Sequence, residues 1–174
     1  FARHRRLLDV AGGEGAFLRA VHRAAPSLEL ALFDLPAVAA RAREHLAAAG
    51  IAATTAGGDF FTDPLPEGAD VVTLVRVVHD HDDADVERLL ANVRSAIADG
   101  GTLVLAEPMS DTPGAEPIGG AYFGLYLLAM GSGRARRPAE LAAMLERAGF
   151  ARPRLRATRT PLLARVMVAD AAKA

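Results

Sequence analysis

Residues 6–15 read Arg6-Leu-Leu-Asp-Val-Ala-Gly-Gly-Glu-Gly15. A short apolar run that stops at glycines is a buried strand. The glycines open onto a helix expected over Glu14–Ala25, which Pro26 ends. Outward from this unit the pattern repeats. A strand over Leu28–Phe33 ends at Asp34, and a helix over Pro36–Ala49 carries Pro in its first turn and Gly50 after its end. A strand over Ile51–Ala56 leads to Gly57-Gly58-Asp59, then a loop marked by Pro64, Pro66 and Gly68. Asp70–Val78 is a long β-branched run, hence a central strand. A helix is expected over Asp82–Ala98, a turn at Asp99-Gly-Gly, and a strand over Thr102–Ala106. Ile118–Met130 reads as a helix broken by Gly131-Ser-Gly133, and Pro138–Ala148 as a helix ended by Gly149. Strands near Arg152–Ala157 and Leu163–Ala169 close the chain. The order predicts an α/β fold: a doubly wound, mostly parallel seven-stranded sheet with helices on both faces, Rossmann-like. In such sheets ligands bind beyond the carboxyl ends of the strands.

The chain has 174 residues, one domain's worth. Its 51% hydrophobic and 24% charged residues exclude a disordered chain. Without cysteine there is no disulfide, thiolate nucleophile or cysteine zinc site. Net charge −1 and a pI near 6.6 argue against a nucleic-acid binder. No uncharged apolar run reaches the roughly 18 residues that span a bilayer. The chain starts at Phe1 and enters a strand almost at once, which suggests one domain of a longer protein. Residues 1–130 carry net −8 and residues 131–174 net +7. The basic end reads as contact with an anionic membrane surface or partner, or, the favoured reading, as an Arg-rich surface from a genome that favours Ala and Arg codons.

Gly13 and Gly15 let the backbone approach a ligand closely. Asp34 follows Gly13 by 21 residues, at the end of the second strand, where an acid accepts from both ribose hydroxyls. A dinucleotide fingerprint wants a third glycine, and Leu18 stands there. A phosphate-free adenosyl cofactor therefore fits better. Gly58-Asp59-Phe60 after the third strand suits an adenine, with a carboxylate near its amine and an aromatic against its ring.

Taken together, DVAGGEG, FDLP, GGDFFTDPLP, RVVHDHDD and AEP resemble the S-adenosylmethionine-dependent O-methyltransferases of the hydroxyindole and plant small-molecule group. The resemblance covers nearly the whole chain. The stretch AYFGLYLLAMGSGRARRPAEL is most similar to bacterial hydroxycarotenoid methyltransferases. The resemblance implies S-adenosyl-L-methionine as cofactor, held by Ala11, Gly13, Gly15, Asp34, Gly58, Asp59, Phe60 and Arg76. It implies His79 as catalytic base and Glu107, 28 residues later, as the acid that orients it. The implied acceptor is an apolar 1-hydroxycarotenoid such as demethylspheroidene. A phenolic or polyketide-type metabolite is the alternative.

The chain departs from the family at four points. Ala11 replaces the first loop glycine, which is tolerable at negative φ. His81 replaces the usual Trp after His-Asp, and Ala135 the Glu of a second orienting acid. Nothing corresponds to the family's N-terminal helical domain, so a homodimer is expected only where that domain is present. The reading is then of one cofactor-binding catalytic domain over 1–174, in a cytoplasmic enzyme, at the inner face of a membrane if the acceptor is lipid-soluble.

His79 suits base catalysis because an imidazole titrates near neutrality. Tyr122, Tyr126 and Met130 recur on one helical face with Phe123 in the adjacent stripe, as a long apolar acceptor or an ordinary core would require. Asp80, Asp82, Asp83 and Asp85 read as caps of a helix N-terminus, where acids suit the dipole, rather than as a metal site. Two rival classes remain: a non-catalytic cofactor-binding module, and a nicotinamide oxidoreductase. The missing G-x-G-x-x-G and Tyr-x-x-x-Lys patterns oppose the latter.

Overall fold

A computed structural model of the chain describes residues 1–114, 131–161 and 163–172. Its elements are β1 (Arg6–Val10), α1 (Ala16–Ala24), β2 (Glu29–Asp34), α2 (Pro36–Ala48), β3 (Ala53–Gly57) and β4 (Ala69–Val75). A short 3-10 turn over Val78–Asp80 follows, then α3 (Asp83–Ala96), β5 (Ile97–Glu107), α4 (Pro138–Arg147), β6 (Phe150–Arg156) and β7 (Arg165–Ala171). The described strands form one sheet in the order β3-β2-β1-β4-β5-β7-β6. β1 to β5 run parallel, and β7 is antiparallel to β5 and β6. The predicted fold class holds.

Alternating side chains divide the core between the two faces. Leu7 packs with Leu30, Leu32 and Val71 beneath α1 and α2, whose Leu18, Val21, Ala42 and Leu46 face inward. Leu8 and Val10 join Val72 and Leu74 beneath α3 and α4, whose Leu89, Leu90, Leu141 and Leu145 are buried. The amino end of β1 is locked to β4 by Asp70, whose carboxylate accepts from the N–H groups of Arg5 and Arg6 at 2.9–3.1 Å. Strand order reverses between β1 and β4, since β2 lies on one side of this pair and β5 on the other. The crevice at their carboxyl ends is where the site belongs.

Several boundaries differ from the sequence reading, and three of them shape the sheet and its carboxyl end. β4 ends at Val75 rather than Val78. Arg76 turns to φ 59, and Glu107 takes the N–H groups of Val77 and Val78 away from the ladder. β3 begins at Ala53, two residues late. The expected turn at Asp99-Gly-Gly is a bulge within β5. Ile97 and Thr102 pair with Ala69 and Val71, and Gly100 takes φ 74 to absorb the extra length.

Candidate active site

The glycine loop follows β1 and is held by backbone groups and one carboxylate. Ala11 N–H donates to Phe33 O at 2.7 Å. Asp34 Oδ2 accepts from Gly13 N–H at 2.8 Å and Asp34 Oδ1 from Leu35 N–H at 2.7 Å. Each carboxylate oxygen keeps a lone pair for a diol. Gly13 has φ 57 and open space where a side chain would stand, the cradle a ligand needs. The loop amide of Gly13 is already bound to a carboxylate, so a phosphate arriving there would meet negative charge instead of a free N–H. Leu18 is fully buried. Both observations favour a nucleoside without a phosphate.

Beneath the loop lies Asp9, 1% exposed. Its Oδ1 accepts from Thr73 Oγ1 at 2.6 Å, while Oδ2 has no hydrogen-bond partner among the described residues. Burial pushes its carboxyl up to about 7, against the Thr73 hydrogen bond, and the Asp34 charge adds to the rise. A Cβ at Gly12 would lie 2.7 Å from that Oδ2 and 2.8 Å from Leu32, so only glycine passes between acid and loop.

On the β3 side, Asp59 Oδ1 accepts from Phe61 N–H and Asp63 Oδ2 from Asp59 N–H, both at 2.8 Å. Phe60, Phe61 and His81 meet edge to face, with centroids 4.5–5.5 Å apart. His81 therefore fills an aromatic wall here. Gly58 lies against Phe33 and Asp63, where a Cβ would fall within 2.9 Å of both.

His79 sits in the 3-10 turn after β4, its side chain 3% exposed. Its Nδ1 lies 2.8 Å from Glu107 Oε2. Glu107, at the end of β5, also accepts from the backbone N–H of Val77 and Val78 at 2.9 Å and of His79 at 3.4 Å. Such a carboxylate is an acceptor, so Nδ1–H donates to it. Asp80 Oδ1 lies 3.2 Å from Nε2, at ion-pair distance but without hydrogen-bond geometry.

A second group grips the same turn from the far side. Arg136 is 2% exposed, although it is an arginine. It donates to Val78 O and His81 O at 2.8 Å each, and to Asp83 Oδ1 at 2.7 and 2.9 Å. Ser132 Oγ donates to Asp80 O at 3.1 Å, and Gly133 N–H to Asp82 Oδ1 at 2.9 Å. Hydrogen bonds from Arg134 and Arg136 hold the Asp83 carboxyl below the usual carboxylate range.

The O-methyltransferase domain family matches residues 1–151. The chain belongs to that family. This O-methyltransferase domain is 43% identical over 166 residues to demethylspheroidene O-methyltransferase of Rhodobacter capsulatus, covering 95% of the chain and 41% of that protein. It is 49% identical over 148 residues to the protein of that name from Cereibacter sphaeroides, covering 84% and 39%. Among solved structures, human N-acetylserotonin methyltransferase in complex with SAM matches with TM-score 0.86 and 28% identity, over 98% of this chain and 48% of that one. The chain thus spans about two-fifths of the length of the curated relatives.

The O-methyltransferase domain brings Ala11, Gly13, Gly15, Asp34, Gly58, Asp59 and Phe60 to the strand ends beside the His79–Glu107 pair. Arg76 is there too, exposed at φ 59. Tyr122, Phe123, Tyr126 and Met130 lie outside the described residues. Ala11 does not take the negative φ expected of it. It sits at φ 55, a left-handed conformation that suits the glycine it replaces. The acids at the start of α3 are not side-chain caps either. Asp82 makes no capping bond, and it and Asp83 bind the 133–136 segment instead. Glu140 is a helix residue as expected, accepting from Arg137 N–H at 2.8 Å. Among the described residues no cluster of three acids or histidines is placed to hold a metal. Sequence reading missed Arg136 and Asp9. An arginine amid Arg134-Ala-Arg-Arg137 looks like surface charge, and an acid inside a strand looks like a solvent-facing residue.

Proposed function

We propose that this domain transfers a methyl group from S-adenosyl-L-methionine to a hydroxyl of an apolar small molecule, a 1-hydroxycarotenoid such as demethylspheroidene. The buried His79–Glu107 pair at 2.8 Å carries this reading. Gly13 and Gly15 would hold the amino-acid part of the cofactor, Asp34 the ribose, and Gly58, Asp59 and Phe60 the adenine, with Arg76 at the rim. The cofactor, when bound, supplies the electrophilic methyl on a sulfonium.

His79 Nε2 accepts the proton of the acceptor hydroxyl, and Glu107 stabilises the imidazolium through Nδ1–H. A positioned base is worth about 10²–10⁴-fold. The crevice holds the acceptor oxygen in line, the larger contribution at about 7–11 kcal/mol in favourable cases. The hydroxycarotenoid class is supported by the names of the two bacterial relatives. A phenolic acceptor is the second reading. It is supported by 39% identity over 147 residues to a 3-hydroxy-5-methyl-1-naphthoate 3-O-methyltransferase of Streptomyces sahachiroi.

No helix among the described residues is long and apolar enough to cross a membrane. Peripheral contact with an anionic membrane is supported by exposed Leu155 and Leu163 within the arginine-rich end of the chain.

The test pairs binding with turnover. S-adenosylhomocysteine should bind saturably, and Asp34→Ala should weaken it about tenfold or more. His79→Ala should abolish methylation of the hydroxycarotenoid while leaving that affinity nearly intact. Turnover unaffected by His79→Ala would remove the base assignment. Absence of binding by a folded chain would remove the cofactor.

A further inference from the structure

We infer that Arg136 is a positioning residue for the base His79, an inference that rests on the methyl-transfer reading above. Glu107 sets the ring of His79 and holds the amides of the turn, but the carbonyls of the turn need their own restraint. Between Val75 and α3 the chain has left the ladder, and Arg76 stands at φ 59. The carbonyls of Val78 and His81, which flank the base, both meet one guanidinium at 2.8 Å. That guanidinium is buried and pinned to Asp83 in the first turn of α3. One rigid planar fork thus ties both ends of the turn to a helix. A lysine, a compact point charge on a flexible stem, lacks that fork.

The neighbouring residue confirms how closely the segment lies. A Cβ at Gly133 would overlap His79 O, and the φ of 82 already demands glycine there. Ser110 N–H donates to Arg136 O at 3.1 Å, which joins the clamp to the chain just beyond Glu107. The base is therefore gripped on one side by β5 and on the other by the 132–136 segment. Arg136 acts on the base through the backbone carbonyls of Val78 and His81.

Arg136→Lys retains the buried charge and removes the fork. In the full chain, kcat is expected to fall about 10²-fold, the order that a misplacement of about 1 Å produces. The affinity for S-adenosylhomocysteine should change less than about twofold, because the glycine loop is untouched. The second measurement needs no acceptor. In protein with 15N-labelled histidine, the His79 ring signals, assigned by their loss in His79→Asn, should show a protonated Nδ1 in the wild type. Arg136→Lys should weaken that Nδ1–H signal and mix the tautomers. Asp83→Asn, which loosens the fork without touching the turn, should act in the same direction and less. Unchanged kcat together with unchanged ring signals in Arg136→Lys would overturn the inference. A wild type that binds no S-adenosylhomocysteine would overturn the methyl-transfer reading instead, and the ring signals would still decide the role of Arg136.

Discussion

The glycine loop after β1 and the His79 turn after β4 stand side by side at the reversal of strand order, yet they are built in opposite ways. The loop is held by one carboxylate and by the absence of side chains: Asp34 on the Gly13 amide, and glycine where Asp9, Leu32 and Leu46 press close. The turn is held by side chains distant in sequence, Glu107 and Arg136, on its amides and carbonyls. A loop that must admit a ligand keeps its own surface open. A turn that must aim one imidazole is clamped from both sides. Under the proposed assignment, the difference separates affinity from rate.

The sharpest way to break this division is Glu107→Gln. Loss of the orienting carboxylate should lower kcat by about 10³–10⁴-fold. The affinity for S-adenosylhomocysteine, measured by calorimetry, should stay within about twofold. A large fall in affinity would show that the two regions are one unit.

Next in size is Asp9→Asn. The folded carboxyl is raised from 3.8 to about 7, so the native state holds its proton more tightly than the unfolded chain. That stability is fully present below about 3.8 and is lost as pH rises towards and past about 7. Asp9→Asn should therefore raise Tm at pH 8 by about 3 °C or more and change it little at pH 4, in thermal scans of both proteins. A uniform shift across pH would mean that Asp9 titrates normally.

Gly13→Ala should cost roughly 1–2 kcal/mol of cofactor affinity, from the positive φ and the filled cradle, with kcat at saturation nearly unchanged. Smallest is Ala11→Gly. It relieves a left-handed alanine and should raise stability by up to about 1 kcal/mol in urea titrations, against the entropy that glycine adds to the unfolded chain.

The same division governs what could be read in advance. The loop was legible because its signals are local: a buried run, glycines, then Asp34 after one helix. His79 and Glu107 were legible through family resemblance, as spacing alone does not pair residues 28 apart. Arg136 was not legible. Its neighbours Arg134 and Arg137 are surface residues, and nothing in composition marks the middle one as buried. Asp82 and Asp83 invited a capping role because acids commonly start helices. Their partners arrive 51 and 53 residues later in the chain.

By itself, the sequence determined the alternation of strands and helices, the glycine cradle, and the acids at the strand ends. Apolar periodicity, glycine and proline act within a few residues, so they survive translation into structure with boundary shifts of up to five residues. Tertiary structure alone decided that β1 and β4 lie adjacent, that Ala11 is left-handed, and that one buried guanidinium holds the His79 turn. Those outcomes depend on which strands pair. The amides that Glu107 accepts, and the carbonyls that Arg136 meets, come together only once β4 lies beside β5.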